Sequence, residues 1–227
     1  MTELLDAYPP VTNNIGFINA GIKKVVRACN KWLLPQGGYS KPEWFRAGID
    51  EAIERLFPLT HWQILFVECQ RNWTAVFRDI DDVPEGPVAV VTERLKCRGV
   101  ISTFVPQTIS EDMTSGSWGA IQLRVYEDRP TEYRNIGRTI SLTNQCGRWR
   151  FDLSGEPLPC EDVDRYQAKM VKDRFNLDML LENLDDFGIK GYRHRFYTEQ
   201  CALYHPPAPT YTGTELRING KVIRRTE

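Results

Sequence analysis

From residue 62 the helical period gives way to segments with the spacing of strands, and an extended backbone satisfies its polar groups only by pairing with other strands. "WQILFVEC" is apolar at both alternating positions, as in a sheet-interior strand covered from both sides. "QRN" then leads into "WTAVFRD", a second strand joined by a short hairpin loop. "VISTFVP" and "WGAIQLRVY" continue the pattern, the latter with Ala120, Gln122, Arg124 and Tyr126 opposite Ile121, Leu123 and Val125. "TISLT" turns through "NQCG" into "RWRFDL", where Trp149, Phe151 and Leu153 alternate with Arg148, Arg150 and Asp152. The spacing predicts a mainly antiparallel sheet of about five or six strands over 62–153.

On both sides of this block the period is helical. Ile18, Ile22, Val25, Cys29, Trp32 and Leu33 share one helical face over residues 14–34, leaving Lys23, Lys24 and Arg27 for solvent. After the break "LPQGGYS", Ser40 and Glu43 have capping-box spacing with Pro42 in the first turn, which predicts a helix over 41–57 with Phe45, Ile49, Ile53 and Leu56 inward. "VAVVTERLKC" begins like a strand and ends like a helix before Gly99, and a crossover helix over 86–97 is the better fit. Beyond the corner "SGEPLP", the acids of "CEDVD" sit where a helix N-terminus favours negative charge, with Val163, Tyr166 and Met170 following at helical spacing. Asn176 has the form of an N-cap, and the stripe Leu177, Leu180, Leu181, Leu184 and Phe187 ends at Gly188. These elements predict an α+β domain over residues 1–188. Helices over 14–34 and 41–57 precede the sheet and a helix pair over 161–187 follows it. Residues 189–227 read as a C-terminal extension: "YRHRFYTEQCALY" resembles a strand, "HPPAPTYTG" an extended linker, and "LRINGKVI" an Asn-Gly hairpin.

The pairing of "NWTAVF" with "GRWRFDLSGEPLP" and "YQAKMVKDRF" resembles a group of uncharacterised bacterial cytoplasmic proteins. Its members share a Trp-centred hairpin, an "SGEPLP" corner and a following helix ending in "DRF". The resemblance covers residues 60–188 and implies no activity.

With 227 residues, 41% of them hydrophobic, the chain is large enough for a substantial core. Its formal charge of −1 argues against a nucleic-acid partner, because it provides no net field toward a polyanion. The longest apolar runs, "WQILFV" and "VAVV", fall far short of the roughly 20 residues that span a bilayer, so no membrane partner is expected. "MTELLDAYPP" lacks the lysines and unbroken apolar run of a signal peptide, which points to a cytoplasmic protein. Cys29, Cys69, Cys97, Cys146, Cys160 and Cys201 are widely spaced without a CxxC, and reduced thiols are expected.

Few residues are arranged for chemistry. Glu156, Glu161, Asp162 and Asp164 could supply a general acid and base, but Glu161 and Asp162 are better explained as charges in a first helical turn. Asp79, Asp81 and Asp82 offer oxygen ligands without the calcium-loop pattern and read as a solvated loop. His194, Cys201 and His205, with Cys160 as a distant fourth ligand, match no standard zinc spacing, so neither a metal nor a cofactor is expected. His61, His194 and His205 are the imidazole bases, and no serine or cysteine stands in a nucleophile elbow; P-loop, G-x-G-x-x-G and H-E-x-x-H motifs are absent. The inventory of Trp, Tyr and Arg favours a surface for a protein partner, since these types dominate interface hot spots. Candidate residues are Tyr192, Arg193, His194, Arg195 and Tyr197, together with Trp118, Tyr126 and Arg129. The same tail segment also fits an edge strand with snorkelling arginines.

The reading that follows is a non-enzymatic cytoplasmic binding protein of bacterial or phage type. It would act stoichiometrically on a partner protein, as an immunity protein or inhibitor does, with homo-oligomerisation left open. The alternatives are a hydrolase or nucleotide-modifying enzyme using Asp79, Asp81, His194 and Cys201, or a regulator with a small ligand between helices and sheet.

Overall fold

The computed structural model describes residues 3–9, 11–57, 59, 63–78, 83–206, 215–218 and 221–224. Its centre is one antiparallel sheet of nine strands in the order β2-β9-β3-β4-β1-β5-β6-β7-β8. These are β1 (Asn14–Ile18), β2 (Glu43–Arg46), β3 (Ile64–Cys69), β4 (Thr74–Phe77), β5 (Gly99–Val105), β6 (Ala120–Tyr126), β7 (Ile136–Gln145), β8 (Arg148–Ser154) and β9 (Tyr197–Tyr204). Helices α1 (Glu3–Ala7), α2 (Ile22–Leu33), α3 (Ile49–Glu54), α4 (Glu85–Leu95) and α5 (Leu177–Asp186) pack on it. A separate two-stranded hairpin is formed by β10 (Glu215–Ile218) and β11 (Lys221–Arg224), where "LRINGKVI" predicts one; its Asn219-Gly220 turn and the Pro-rich linker from 207 lie outside the described residues.

Strand alternation divides the interior into two cores, one on each face. Ile15, Phe17, Leu65, Val67, Leu123 and Ile140 point to the face covered by α1, α3 and α5. Ile18, Phe66, Val76, Ile101 and Tyr204 point to the face covered by α2 and α4. Each fully buried Leu, Ile, Val or Phe contributes roughly 1.5–3 kcal/mol relative to exposure, so both faces matter to stability. Tyr204 also fastens β9 to α2, donating to the Asn30 side-chain oxygen at 2.7 Å and approaching the Val26 carbonyl at 3.2 Å.

The sheet is larger than the alternation of 62–153 suggests, because three strands lie outside that block. Residues 14–18 form β1, not the start of a helix. In a strand buried on both faces, Ile15, Phe17 and Ile18 are all apolar, and Ile18 fits the helical stripe of α2 by coincidence. Residues 43–46 form β2 instead of the first turn of a 41–57 helix. Pairing with β9 outweighs the capping-box pattern, and helix α3 starts later, with Gly48 at its N-cap position and no side-chain cap. The expected boundary at 188 is also corrected, since β9 is inserted between β2 and β3 and residues 189–204 belong to the main domain.

The 161–175 helix is absent. Short 3-10 turns at Val163–Gln167 and Val171–Asp173 take its place. The expected crossover helix is present as α4, although Lys96, with φ of 49°, supplies the left-handed cap and Gly99 begins β5. The Asn176 cap is also present, its side-chain oxygen accepting the Met179 N–H at 3.0 Å. The "NQCG" turn forms with Cys146 and Gly147 both at positive φ, the geometry a tight hairpin requires.

Candidate functional site

The expected aromatic surface is largely interior. Tyr192 is 2% exposed, and its hydroxyl lies 2.8 Å from the Ser102 hydroxyl. Tyr197 is buried and donates to the Gly191 carbonyl, and Tyr126 is buried beneath α4. Arg193 and His194 are half-buried and Arg195 is exposed, its carbonyl accepting from the Gln70 amide at 2.6 Å. Phe196 explains the placement: its ring meets Phe17 and Tyr197 edge-on, at 6.2 and 5.6 Å between centroids, and draws the flanking tyrosines inward. Trp118 is half-buried and Arg129 exposed. The eight residues therefore do not form one presented face.

Of the carboxylates after "SGEPLP", Glu161 has an architectural role, but not that of a helix charge. Glu161 is buried against Arg138, their side chains 0% and 4% exposed, with guanidinium-to-carboxylate contacts of 2.8 and 2.5 Å. The Leu158 N–H and the Tyr166 hydroxyl also donate to Glu161, at 2.9 and 3.1 Å. Arg138 uses its remaining nitrogen to donate to the Gly155 carbonyl at 2.6 Å. Gly155 itself has φ of 76°, and a Cβ there would stand 1.8 Å from the Gly137 carbonyl oxygen, so the corner admits no side chain. Every strong hydrogen-bonding site of the buried pair is thus met, as a desolvated charge pair requires.

The other expected chemical groups are dispersed. His194 lies 3.5 Å from Asp50 and His205 lies 3.4 Å from Glu43. Cys201 is buried with its thiol toward the Ala47 carbonyl, and Cys160 contacts Asn183. No group of three or more His, Cys, Asp or Glu residues suited to a metal occurs among the described residues. His61, Asp79, Asp81 and Asp82 lie outside the described residues.

Burial pushes the Cys29 thiol from its ordinary 9.0 up to about 12 and the Cys201 thiol up to about 11. It raises Cys69 well above the ordinary range too, so none of the three is a thiolate nucleophile at neutral pH. Because the folded chain retains protons that the unfolded chain releases, this stability is complete below about pH 9 and is lost as pH rises toward 11–12. Urea midpoints should accordingly fall between about pH 8 and pH 10. In a thiol-labelling assay exposed Cys146 should react in the folded protein, and Cys29, Cys69 and Cys201 only on unfolding.

The surface of the described residues includes two open grooves. The first, of about 520 Å³, borders edge strand β2 and is lined by Lys23, Trp44, Arg46, Glu68, Thr198 and Gln200, among others. Trp44 pairs with Ala202, which places it on the α2 face of the sheet, and it remains 45% exposed. Arg46 pairs with Glu199 at 3.0 Å on the surface, and Thr198 donates to Glu68 at 3.2 Å. Strand β2 is four residues long and carries Glu43 and Arg46, features that discourage further strand addition and leave side chains as the means of recognition. The second groove, also about 520 Å³, runs between α2 and α4.

No protein-family model matches the chain, and no curated protein or solved structure is similar to it.

Charge is segregated across the sheet. Helix α2 carries Lys23, Lys24, Arg27 and Lys31 with no acid. On the opposite face α3 carries Asp50, Glu51 and Glu54, and α5 carries Asp178, Glu182, Asp185 and Asp186, with no base on either. The like-charge pairs Lys23–Arg27 and Arg27–Lys31, four residues apart on α2, each cost the helix about 0.2–0.5 kcal/mol. A net charge of −1 therefore conceals a basic helix on one side of the sheet and two acidic helices on the other, although Glu51, Glu182 and Asp185 of the latter are paired with Arg55, Arg165 and Lys190. Trp44 and Arg46 were hidden from sequence reading by the helical assignment of 41–57. The usable signal was the adjacent aromatic pair Trp44-Phe45, a residue type enriched in strands.

Proposed function

We propose that the chain is a non-enzymatic cytoplasmic binding protein that acts stoichiometrically on a partner protein, in the manner of an immunity protein or inhibitor, and that it engages this partner through the groove beside β2. The observation carrying the reading is Trp44, a large aromatic left 45% exposed at an open groove with Lys23 and Arg46 in its lining. Trp and Arg are the side chains that most often dominate binding energy when a partner desolvates them. Flanking Glu68, Thr198 and Gln200 supply polar groups for a rim. No helix among the described residues is long and apolar enough to cross a membrane.

The test is affinity purification of the tagged chain from its host over a range of salt concentrations, followed by mass spectrometry. One protein recovered in equal amount is expected. Its affinity should fall about tenfold or more in Trp44→Ala, as for a hot-spot residue, while the urea midpoint of the half-exposed variant stays nearly unchanged. A chain that runs alone at every salt concentration, or a complex indifferent to Trp44→Ala, overturns the proposal.

A further inference from the structure

We propose that the groove between α2 and α4 is a second docking site, and that its occupant is an acidic, partly apolar peptide segment of a partner protein. The walls carry Lys24, Arg27 and Lys31 of α2 and Arg94 of α4, and the floor is made by Ala28 and Leu95. All four cations are exposed, and among the described residues none of them is in an ion pair. Nearby arginines behave differently: Arg98 pairs with Glu127 at 3.6 Å and Arg124 with Glu85 at 2.9 Å. Glu85 and Glu127 are thus engaged elsewhere, exposed Glu93 of α4 pairs with none of the four, and the groove cations remain available.

The shape of the groove favours a peptide over a nucleic acid. A nucleic acid would meet the cations with its phosphates but finds no aromatic side chain in this lining on which to stack its bases, whereas the floor of Ala28, Leu95 and the aliphatic stems of the basic residues gives apolar side chains a place to bury. Lys24 and Lys31 are two helical turns apart, about 10 Å along α2, which is about three residues of extended peptide. Carboxylates flanking an apolar residue satisfy both the walls and the floor. The four cations clustered on one groove attract an anionic partner locally, over about a Debye length.

The experiment measures fluorescence anisotropy of a labelled peptide of Asp-Glu-Leu repeats against the full chain, beside a Ser-Gln-Leu peptide and single-stranded and duplex DNA of similar length. The acidic peptide should bind best and weaken as salt rises. Its affinity should fall about tenfold or more in the double variant Lys24→Glu/Lys31→Glu and in Arg94→Glu, which tests the opposite wall on a different helix. Circular dichroism of both variants should match the parent, since these side chains are exposed. Trp44→Ala should leave binding unchanged, which separates this site from the β2 groove. Absence of acidic-peptide binding, tighter binding of DNA at equal salt, or indifference to both charge reversals overturns the proposal. Self-association of the chain that is lost in Lys24→Glu/Lys31→Glu also overturns it, by making a second copy the occupant.

Discussion

Glu161→Ala should destabilise the protein by about 3–5 kcal/mol, the cost of leaving a buried guanidinium without its partner. Arg138 would keep its bonds to the Gly155 carbonyl but lose both carboxylate contacts in a site where its side chain is only 4% exposed. The Leu158 N–H and the Tyr166 hydroxyl would lose their acceptor at the same time. A helix-terminus carboxylate, by contrast, contributes only about 0.3–1 kcal/mol, so a urea titration distinguishes the two roles without a functional assay. Asp162→Ala is the control: Asp162 pairs with Arg165 at the surface, and about 1 kcal/mol or less is expected. The double change Arg138→Met/Glu161→Leu should recover part of the loss, because apolar replacement of both partners removes the isolated charge. A loss below about 1 kcal/mol for Glu161→Ala would refute the buried-pair account.

Tyr192→Ala should cost about 3–5 kcal/mol, the range for removing a buried aromatic ring. The ring lies in the core cluster that contains Phe17 and Phe196, and its hydroxyl meets Ser102 on β5. Tyr192→Phe separates packing from hydrogen bonding: it keeps the ring, leaves the Ser102 hydroxyl unpaired, and should cost about 1–3 kcal/mol. If Tyr192 instead served a partner, Tyr192→Ala would leave the urea midpoint in place and weaken binding alone.

The legible parts of the fold were those whose determinants are local. The Cys146-Gly147 turn, the Asn176 cap and the alternation of β6 all follow from nearby residues, and the structure contains each. The misread parts depend on distant partners. Glu43 and Phe45 look helical beside Ser40 and Ile49, yet their strand is fixed by Leu203 and Cys201, far along the chain. Ile15 and Phe17 are strand residues because Ser102 and Val100 flank them on one side, and Ala75 flanks Phe17 on the other. The candidate site suffers from the same limitation. The lysines of α2 were visible as a solvent face, but their meeting with Arg94 of α4 in one groove emerges only when the sheet brings the two helices together. Burial of the "YRHRFY" tyrosines was invisible because Phe196, Phe17 and Gly191 come together only in three dimensions.

The insertion of β9 between β2 and β3 governs the order in which the molecule can be completed. Strand β2 has no other partner in the sheet, so residues 43–46 wait in solution until residues 197–204 emerge from the ribosome and are in place. Until then β3 exposes one backbone edge, and a nascent chain at that stage is open to mispairing with its neighbours. Closure across so long a stretch of sequence carries a larger entropic cost than the hairpins do, so the β2-β9 pairing is the costliest contact of the sheet to close.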